Sequence, residues 1–393
     1  MRIGLSRCKY PEVRCIVNKE SINDTYINFE KLNLSYYINK FKSFFFKKNV
    51  THYFFKPFFF ESKHIDIFHF VNDITDAKVR WVSTFETMIP RTDALLNEHR
   101  KANGEISYKY ESSIETFVEL MASNFCLKII ALSSNSYNIQ CAFLKAYPKY
   151  FESIISKMEI LQPPQKLLVN YISEKKLPLN KIRFIFIGRD FYRKGGAEIV
   201  YAFDSLIKAK SLDQEKIELI LVGDLSRTNN YVFNANQLEE EELLGISSMI
   251  NNTDYIKHYN FLDNEKIINL IKCSHVGLLP TWGDTFGYSV LEMQAAGCPV
   301  ITTDVRALQE INNNNVGWLI STKKNIFNEI VIQNADELLV YKHSIIRQLK
   351  KIILEIYHEP FIINEKATAS IERIRKDHNP KKYFEKLQTF YMS

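Results

Sequence analysis

A chain of 393 residues is long for one domain and of ordinary length for two. Its content of 46% hydrophobic and 24% charged residues excludes a disordered protein. The excess of 51 Lys and Arg over 45 Asp and Glu is too small to indicate nucleic-acid binding, so none is expected.

Targeting and metal-binding signals are absent from the sequence. Residues 1–10 lack the apolar core of a signal peptide, and no apolar run approaches the roughly 20 residues that span a bilayer. The six cysteines contain no Cys-x-x-Cys pair, which predicts reduced, packed thiols. No set of His, Asp and Cys has the spacing of metal ligands. We therefore predict a metal-independent, cytoplasmic protein without a cofactor.

The first half of the chain alternates strands and helices. Residues 65–70, 79–84 and 128–133 are predicted strands, and a helix is predicted over 137–147. Residues 157–164 are a last strand that two prolines terminate, which indicates a domain boundary there. Strands followed by helices predict a parallel sheet with crossover connections.

The second half predicts a doubly wound α/β sheet. Its predicted strands cover residues 183–188, 217–223, 255–259, 276–280, 299–303 and 316–320. A helix is predicted over 195–209, and a second over 263–273 has Asp263 as its N-cap. In such sheets, ligands bind outside the carboxyl ends of the strands. From about residue 323 onward the sequence predicts helices.

The most informative stretch of the sequence is residues 281–301, which predicts loop, helix, turn and strand. Asp284 lies in the loop, and Glu292 lies about one turn inside the helix. Between the two acids, the residues at the helix start are Thr285, Phe286, Gly287, Tyr288 and Ser289. The first turn of a helix offers backbone N–H groups and the positive end of the dipole. This stretch predicts a site for an anionic, polyhydroxylated ligand.

This pattern resembles the signature of glycosyltransferase family 4 and its retaining relatives with the GT-B fold. That signature has two acids separated by seven residues, then a small-residue helix and a Gly-x-Pro-Val strand, matched here by Gly297 and Pro299. The family usually has Glu at the first acidic position, where this chain has Asp284. The alternative interpretation is an ordinary αβ unit with polar caps.

The resemblance also covers the turn after residue 188. In the family a Gly-Arg pair, followed by Lys-Gly at a helix start, holds the donor diphosphate, and Gly188, Arg189 and Lys194 match those positions. The alternative is that Arg189 and Lys194 are solvated. For Arg193, a solvated side chain is the expected state.

The resemblance implies further roles near the sugar and the base. Phe261, after the third strand of the second half, matches the place of the nucleotide base, although a core position is the alternative. The first half departs from the family, which often has a His at the end of the strand that matches residues 79–84. Here Glu86 follows that strand and is the candidate to receive the acceptor proton, with an N-cap or surface acid as the alternative. Arg91 is placed to meet an acidic acceptor. The retaining mechanism implies front-face attack within an ion pair, without a covalent intermediate.

Residues 36–63 interleave aromatic and basic side chains. This composition is typical of a membrane–water interface and would suit a lipid-linked acceptor. Two core elements with lysines on the solvent side are the alternative.

The resemblance implies two Rossmann-like doubly wound domains facing a central cleft. We expect an acceptor domain at residues 1–165, a nucleotide-sugar donor domain at 166–375, and a helix at 376–393 that packs back on the first domain. The implied activity is a retaining hexosyltransferase that uses a nucleotide-diphosphate sugar, with a glycan or lipid-linked acceptor of bacterial-type surface polysaccharide. Its expected location is the cytoplasm, at the inner face of the membrane. An epimerase, a phosphorylase, an enzyme with another phosphate donor and a non-catalytic partner subunit are the alternatives.

Overall fold

The computed structural model describes residues 1–35, 37–38, 41, 54–57, 64–100, 108–228, 230, 232 and 240–393. This part of the chain divides into two compact units. Unit 1 comprises Met1–Pro164 together with Pro380–Ser393, and unit 2 is the continuous stretch Gln165–Asn379.

Unit 1 is built on parallel strands. They are β1 (Arg2–Leu5), β2 (Thr25–Asn28), β3 (Phe54–Phe55), β4 (Ile67–Val71), β5 (Ile74–Thr75), β6 (Trp81–Phe85), β7 (Cys126–Ala131) and β8 (Met158–Ile160). The main sheet has the order β2-β1-β4-β6-β7-β8, and β3 pairs separately with β5. The strands β4 and β6 are buried along their whole length, as expected for the centre of a parallel sheet.

Helices connect the strands of unit 1. They are α1 (Tyr10–Cys15), α2 (Asp93–Glu98), α3 (Ser112–Ala122), α4 (Ser134–Leu144) and α5 (Pro148–Ile155). Polar N-caps set two of the starts: Thr92 accepts from the third residue of α2, and Ser133 forms a capping box with Ser136 at α4. The predicted strands at 65–70, 79–84 and 128–133 correspond to β4, β6 and β7. The strands β1 and β2 were not predicted.

Unit 2 contains a second parallel sheet. Its strands are β9 (Ile182–Asp190), β10 (Ile217–Asp224), β11 (Ile256–Tyr259), β12 (Val276–Leu279), β13 (Val300–Thr303) and β14 (Trp318–Ile320). Their order is β11-β10-β9-β12-β13-β14. The chain thus adds strands in one direction from β9 to β11 and in the other from β12 to β14. The switch point, where ligands bind in open α/β sheets, lies between β9 and β12.

The helices of unit 2 cover this sheet. They are α6 (Gly196–Lys208), α7 (Glu240–Asn251), α8 (Asn264–Lys272), α9 (Tyr288–Ala295), α10 (Leu308–Ile311), α11 (Ala335–His358) and α12 (Phe361–Asp377). Asp263 caps α8 by accepting from the Lys266 amide at 2.9 Å, as predicted. Short 3₁₀ turns occur at Glu30–Leu32 in unit 1 and at Ile172–Glu174 and Gln214–Lys216 in unit 2.

The last helix, α13 (Pro380–Met392), belongs to unit 1. It buries Tyr383, Leu387, Phe390 and Tyr391. The Tyr383 hydroxyl donates to the carbonyl oxygen of Cys15 at 2.8 Å. The Tyr391 hydroxyl lies 2.7 Å from His69 Nδ1 in β4. The helix therefore completes the core of unit 1.

His69 gives the stability of unit 1 an expected pH dependence. Burial lowers the pKa of His69 to about 3, whereas an unfolded histidine titrates near 6.5. Between these values the unfolded chain binds one proton more, so the free energy of unfolding should fall as the pH drops, by about 1.4 kcal/mol per pH unit. We expect a loss of about 2 kcal/mol from pH 7 to pH 5 that His69→Gln does not show. Urea unfolding at each pH, followed by tryptophan fluorescence, measures the free energy of unfolding, and the same pH dependence in both proteins would contradict the prediction.

Candidate functional site

Two loops meet at the switch point of unit 2. One leaves the carboxyl end of β9 and leads into α6, and the other leaves β12 and leads into α9. Gly195, with φ +86°, ends the first loop, and a Cβ there would lie 2.2 Å from the Pro280 carbonyl oxygen. The two loops are therefore in backbone contact, and only glycine fits at their crossing.

Lys194 and Asp284 form an ion pair at this crossing. The Lys194 Nζ donates to Asp284 Oδ2, and the two side chains are only 15% and 12% exposed. Burial alone would raise the pKa of Asp284, but the charges of Lys194 and Arg193 hold it below its ordinary value. Two residues predicted from separate motifs thus lie together, with Asp284 ionised. An ammonium has three N–H groups, so Lys194 has donors left for a ligand.

Arg193 ties the two loops together. Its guanidinium donates to the Gly283 carbonyl oxygen and pairs with Asp190, and the side chain is only 11% exposed. Its own carbonyl oxygen accepts from the Trp282 amide at 2.9 Å and from Thr281 Oγ1 at 3.2 Å. The expectation that Arg193 is solvated is wrong. The acceptor on Gly283 lies 90 residues away in the chain, and no local pattern reveals it.

Gly188 and Arg189 lie at the end of β9. A Cβ at Gly188 would lie 2.8 Å from the Cβ of Lys194, so the glycine provides the space in which the lysine stem packs. Arg189 is exposed and forms no hydrogen bond or ion pair with the part of the chain that the structure describes. Its charge helps to lower the pKa of Asp224, after the contacts from Ser226 and Arg227. Arg189 is thus a cation available at the same edge.

The helix α9 begins as the sequence predicts. Its N-cap is Gly287 with φ +92°, which offers no side chain to cap the first turn. The helix α6 begins in the same way behind Gly195. Both helices therefore begin beside the same strand ends, and no N-cap side chain satisfies their first N–H groups. The dipoles of the two helices favour an anion there.

The other predicted residues of this stretch differ in exposure. Thr285, Tyr288, Ser289 and Glu292 are half-buried. The side chain of Phe286 is 1% exposed, so only its backbone could face a ligand. Phe261, beyond the end of β11, is 82% exposed, which excludes the alternative of a core position.

Glu86 lies at the end of β6 in unit 1. Its backbone N–H donates to Asn72 Oδ1 at 3.0 Å, and its carboxylate lies 3.6 Å from the Arg91 guanidinium. The side chain of Glu86 is 15% exposed. The predicted acid and the predicted cation are thus neighbours within one unit.

Most of the aromatic and basic segment 36–63 lies outside the described residues. Phe55 is described, and it is fully buried against Phe29, Phe68 and Phe70. Among the described helices, none is long and apolar enough to cross a membrane. The described residues also contain no group of three or more His, Cys, Asp or Glu arranged to hold a metal ion.

Residues 170–333, which carry this site, match the family model described as Glycosyl transferases group 1. This match confirms the predicted resemblance for that part of the chain. Two curated proteins are similar to the chain, each at 23% identity. The first is the D-inositol 3-phosphate glycosyltransferase of Arthrobacter sp. (strain FB24), with a match over 38% of this chain and 32% of that protein. The second is an uncharacterized 41.2 kDa protein in the cps region of Klebsiella pneumoniae, with a match over 54% of this chain and 53% of that protein. The chain thus spans about a third and about half of their lengths.

Solved structures confirm the fold. HepE from Anabaena, in complex with UDP and glucose, superposes with a TM-score of 0.57 at 14% identity over 100% of this chain and 99% of that one. A glycosyltransferase from Rickettsia africae ESF-5 gives 0.55 at 15% identity, covering 94% and 84%. Sucrose-phosphate synthase from Thermosynechococcus elongatus gives 0.54 at 17% identity, covering 94% and 80%. The protein has the GT-B fold, with two Rossmann-like units.

Proposed function

We propose that this protein is a retaining glycosyltransferase that transfers a sugar from a nucleotide-diphosphate sugar to a glycan or lipid-linked acceptor. The observation that carries the proposal is the Lys194–Asp284 pair at the switch point of unit 2. It lies beside the N-termini of α6 and α9, whose N-cap glycines have no side chain to accept from the first-turn N–H groups. This arrangement offers positive charge to an anion and a carboxylate to hydroxyl groups. A nucleotide-diphosphate sugar has both kinds of group.

Each residue has a role in this proposal. Lys194 and the exposed Arg189 neutralise the charge that grows on the departing diphosphate, together with the first turn of α9. Asp284, kept ionised, fixes the ammonium of Lys194 and faces the transferred sugar. Glu292, one turn inside α9, accepts from sugar hydroxyls. The cations supply the charge that a metal would otherwise supply, so the proposed reaction is metal-independent.

Further elements of the proposal concern the acceptor. Glu86 receives the proton of the attacking hydroxyl, and Arg91 beside it sets the orientation of the carboxylate. Phe261 provides an exposed aromatic face for the nucleotide base. A glycan of a bacterial-type surface polysaccharide, elongated at the inner face of the cytoplasmic membrane, is the proposed acceptor.

Nucleotide binding tests the proposal directly. UDP is the first nucleotide to try because HepE was solved with UDP and glucose. A ligand at 100 times its Kd should add about 2.7 kcal/mol of stability. We expect one nucleotide among UDP, GDP, ADP and dTDP to raise the Tm of the wild type but not of Lys194→Ala. No shift with any of them would contradict the proposal, and product formed from a nucleotide sugar without an acceptor would indicate an epimerase instead.

A further inference from the structure

A buried polar cluster lies behind the two loops of the site. It consists of Glu198 in the first turn of α6, Trp282 in the loop after β12 and Tyr341 in α11, which are 2%, 4% and 7% exposed. The rings of Trp282 and Tyr341 meet edge to face, with centroids 4.8 Å apart. We name these three residues the Glu198 cluster.

Three polar atoms of the Glu198 cluster are inaccessible to solvent and make no hydrogen bond of good geometry, although the Trp282 N–H lies close enough to Glu198 to lower the pKa of its carboxyl group. They are Glu198 Oε2, the indole Nε1 of Trp282 and the hydroxyl of Tyr341. One atom is an acceptor, and the other two carry N–H and O–H donors. Unpaired buried polar atoms are costly, and native structures contain only a few of them. In this cluster an unpaired acceptor and two unpaired donors lie in neighbouring residues, so small movements could pair them.

The cluster connects both halves of the candidate site. Glu198 lies four residues after Lys194, in the first turn of α6. Trp282 lies two residues before Asp284, and its amide donates to the Arg193 carbonyl oxygen at 2.9 Å. A change in how Glu198 holds the indole would therefore change how Asp284 meets Lys194.

The carboxyl group of Glu198 titrates in the physiological range. Burial raises its pKa to about 7, against the lowering effects of its own backbone N–H, Lys342 and Trp282. The charged and titratable groups that act on it or respond to it are Lys342 and Tyr341 from α11, Glu242 from α7 and Tyr201 from α6. Lys342 is itself bonded to Glu242 at 2.8 Å, so its charge is shared between the two acids.

We propose that Glu198 is a positioning residue for the donor site: its ionised carboxylate receives the N–H of Trp282 and the O–H of Tyr341 and so holds Asp284 against Lys194. This inference rests on the proposed function of the site. When Glu198 takes up a proton, the attraction for both donors weakens and the loop of Asp284 loosens. Donor affinity should therefore fall as the pH drops through the titration of Glu198.

The first test is a titration of tryptophan fluorescence, which needs no ligand. We expect the wild-type emission to change with a midpoint near pH 7, because the charge of Glu198 changes beside the Trp282 indole. The step should vanish in Glu198→Gln and in Trp282→Phe, and it should persist in the control Glu242→Gln. A step that persists in Glu198→Gln would overturn the inference.

The second test measures UDP affinity at pH 8 and pH 6 by calorimetry. From pH 8 to pH 6, we expect the Kd of the wild type to rise by a factor about ten times larger than the factor for Glu198→Gln. The same pH dependence in both proteins would overturn the positioning role. If UDP binds to neither protein, the proposed function fails, and the fluorescence titration still decides whether Glu198 acts on Trp282.

Stability separates positioning from a merely structural role. The pKa of Glu198 is about 7 in the folded protein and 4.5 ordinarily, so between these two pH values the folded protein binds more protons than the unfolded chain. Wild-type stability therefore falls as the pH rises through that window, and Glu198→Gln does not pay this cost. We expect Glu198→Gln to have a higher Tm at pH 8 and a weaker affinity for UDP. If it does not fold, Tyr341→Phe replaces it and should shift the fluorescence midpoint upward; an unchanged midpoint would overturn the inference.

Discussion

Replacing Lys194 with alanine is expected to lower the turnover of a nucleotide sugar by about 10²–10³-fold, because one preorganised charge is lost where negative charge develops. The same change leaves Asp284 buried without its ion-pair partner. Breaking a buried pair from one side typically costs about 3–5 kcal/mol. Steady-state kinetics and urea unfolding measure the two effects on one preparation.

Two controls separate the catalytic from the structural effect of Lys194. Adding Asp284→Asn to Lys194→Ala should restore much of the stability, since no buried charge remains, and should not restore turnover. Lys216→Ala removes an exposed lysine without an ion pair among the described residues and should leave the stability within about 0.5 kcal/mol of wild type. Full turnover in Lys194→Ala would refute the assigned role.

Gly195→Ala is expected to destabilise unit 2 strongly, although it adds only one methyl group. The new Cβ would lie 2.2 Å from the Pro280 carbonyl oxygen, at a φ of +86° that alanine avoids. The left-handed backbone alone costs about 1–2 kcal/mol, and separating the two loops adds to it. We expect a total loss of about 3 kcal/mol or more, together with loss of nucleotide binding, because Lys194 moves away from Asp284.

The chain offers a matched control for this substitution. A Cβ at Gly245, inside α7, would meet nothing within 4 Å, and that glycine has no positive φ. Gly245→Ala should therefore raise the free energy of unfolding by about 0.5–1 kcal/mol. Thermal unfolding should show Tm shifts of opposite sign, and a Gly195→Ala protein as stable as the wild type would show that the crossing is not tight.

The sequence was sufficient to predict most of unit 2. Its strands are short apolar runs that end in glycine or a polar turn, and each precedes a helical stretch. Lys194 and Asp284 are 90 residues apart, yet their proximity follows from topology. Both residues follow strand ends, and parallel strands present these ends along one edge of the sheet.

The features that the sequence did not reveal depend on contacts between distant segments. Arg193 has the local appearance of a surface cation, and its role depends on the Gly283 carbonyl oxygen. Glu198 has the appearance of an ordinary acid in a first helical turn, where the dipole favours one. It is only 2% exposed and interacts with Trp282 and Tyr341, which lie far from it in the sequence. In unit 1, β1 is defined by its pairing with β2 and β4, which are distant segments of the chain.

The helix α13 has a consequence for the order in which the protein folds during synthesis. Unit 2 is continuous, so all of its residues have been made when Asn379 is added. Residues 1–164 of unit 1 are made before unit 2, but His69 cannot be buried against Tyr391 until residues 380–393 follow. The usual order, in which N-terminal domains fold first, is thus reversed here. Until then, the ribosome-bound chain exposes the apolar surface that α13 later covers, and chaperones would recognise that surface.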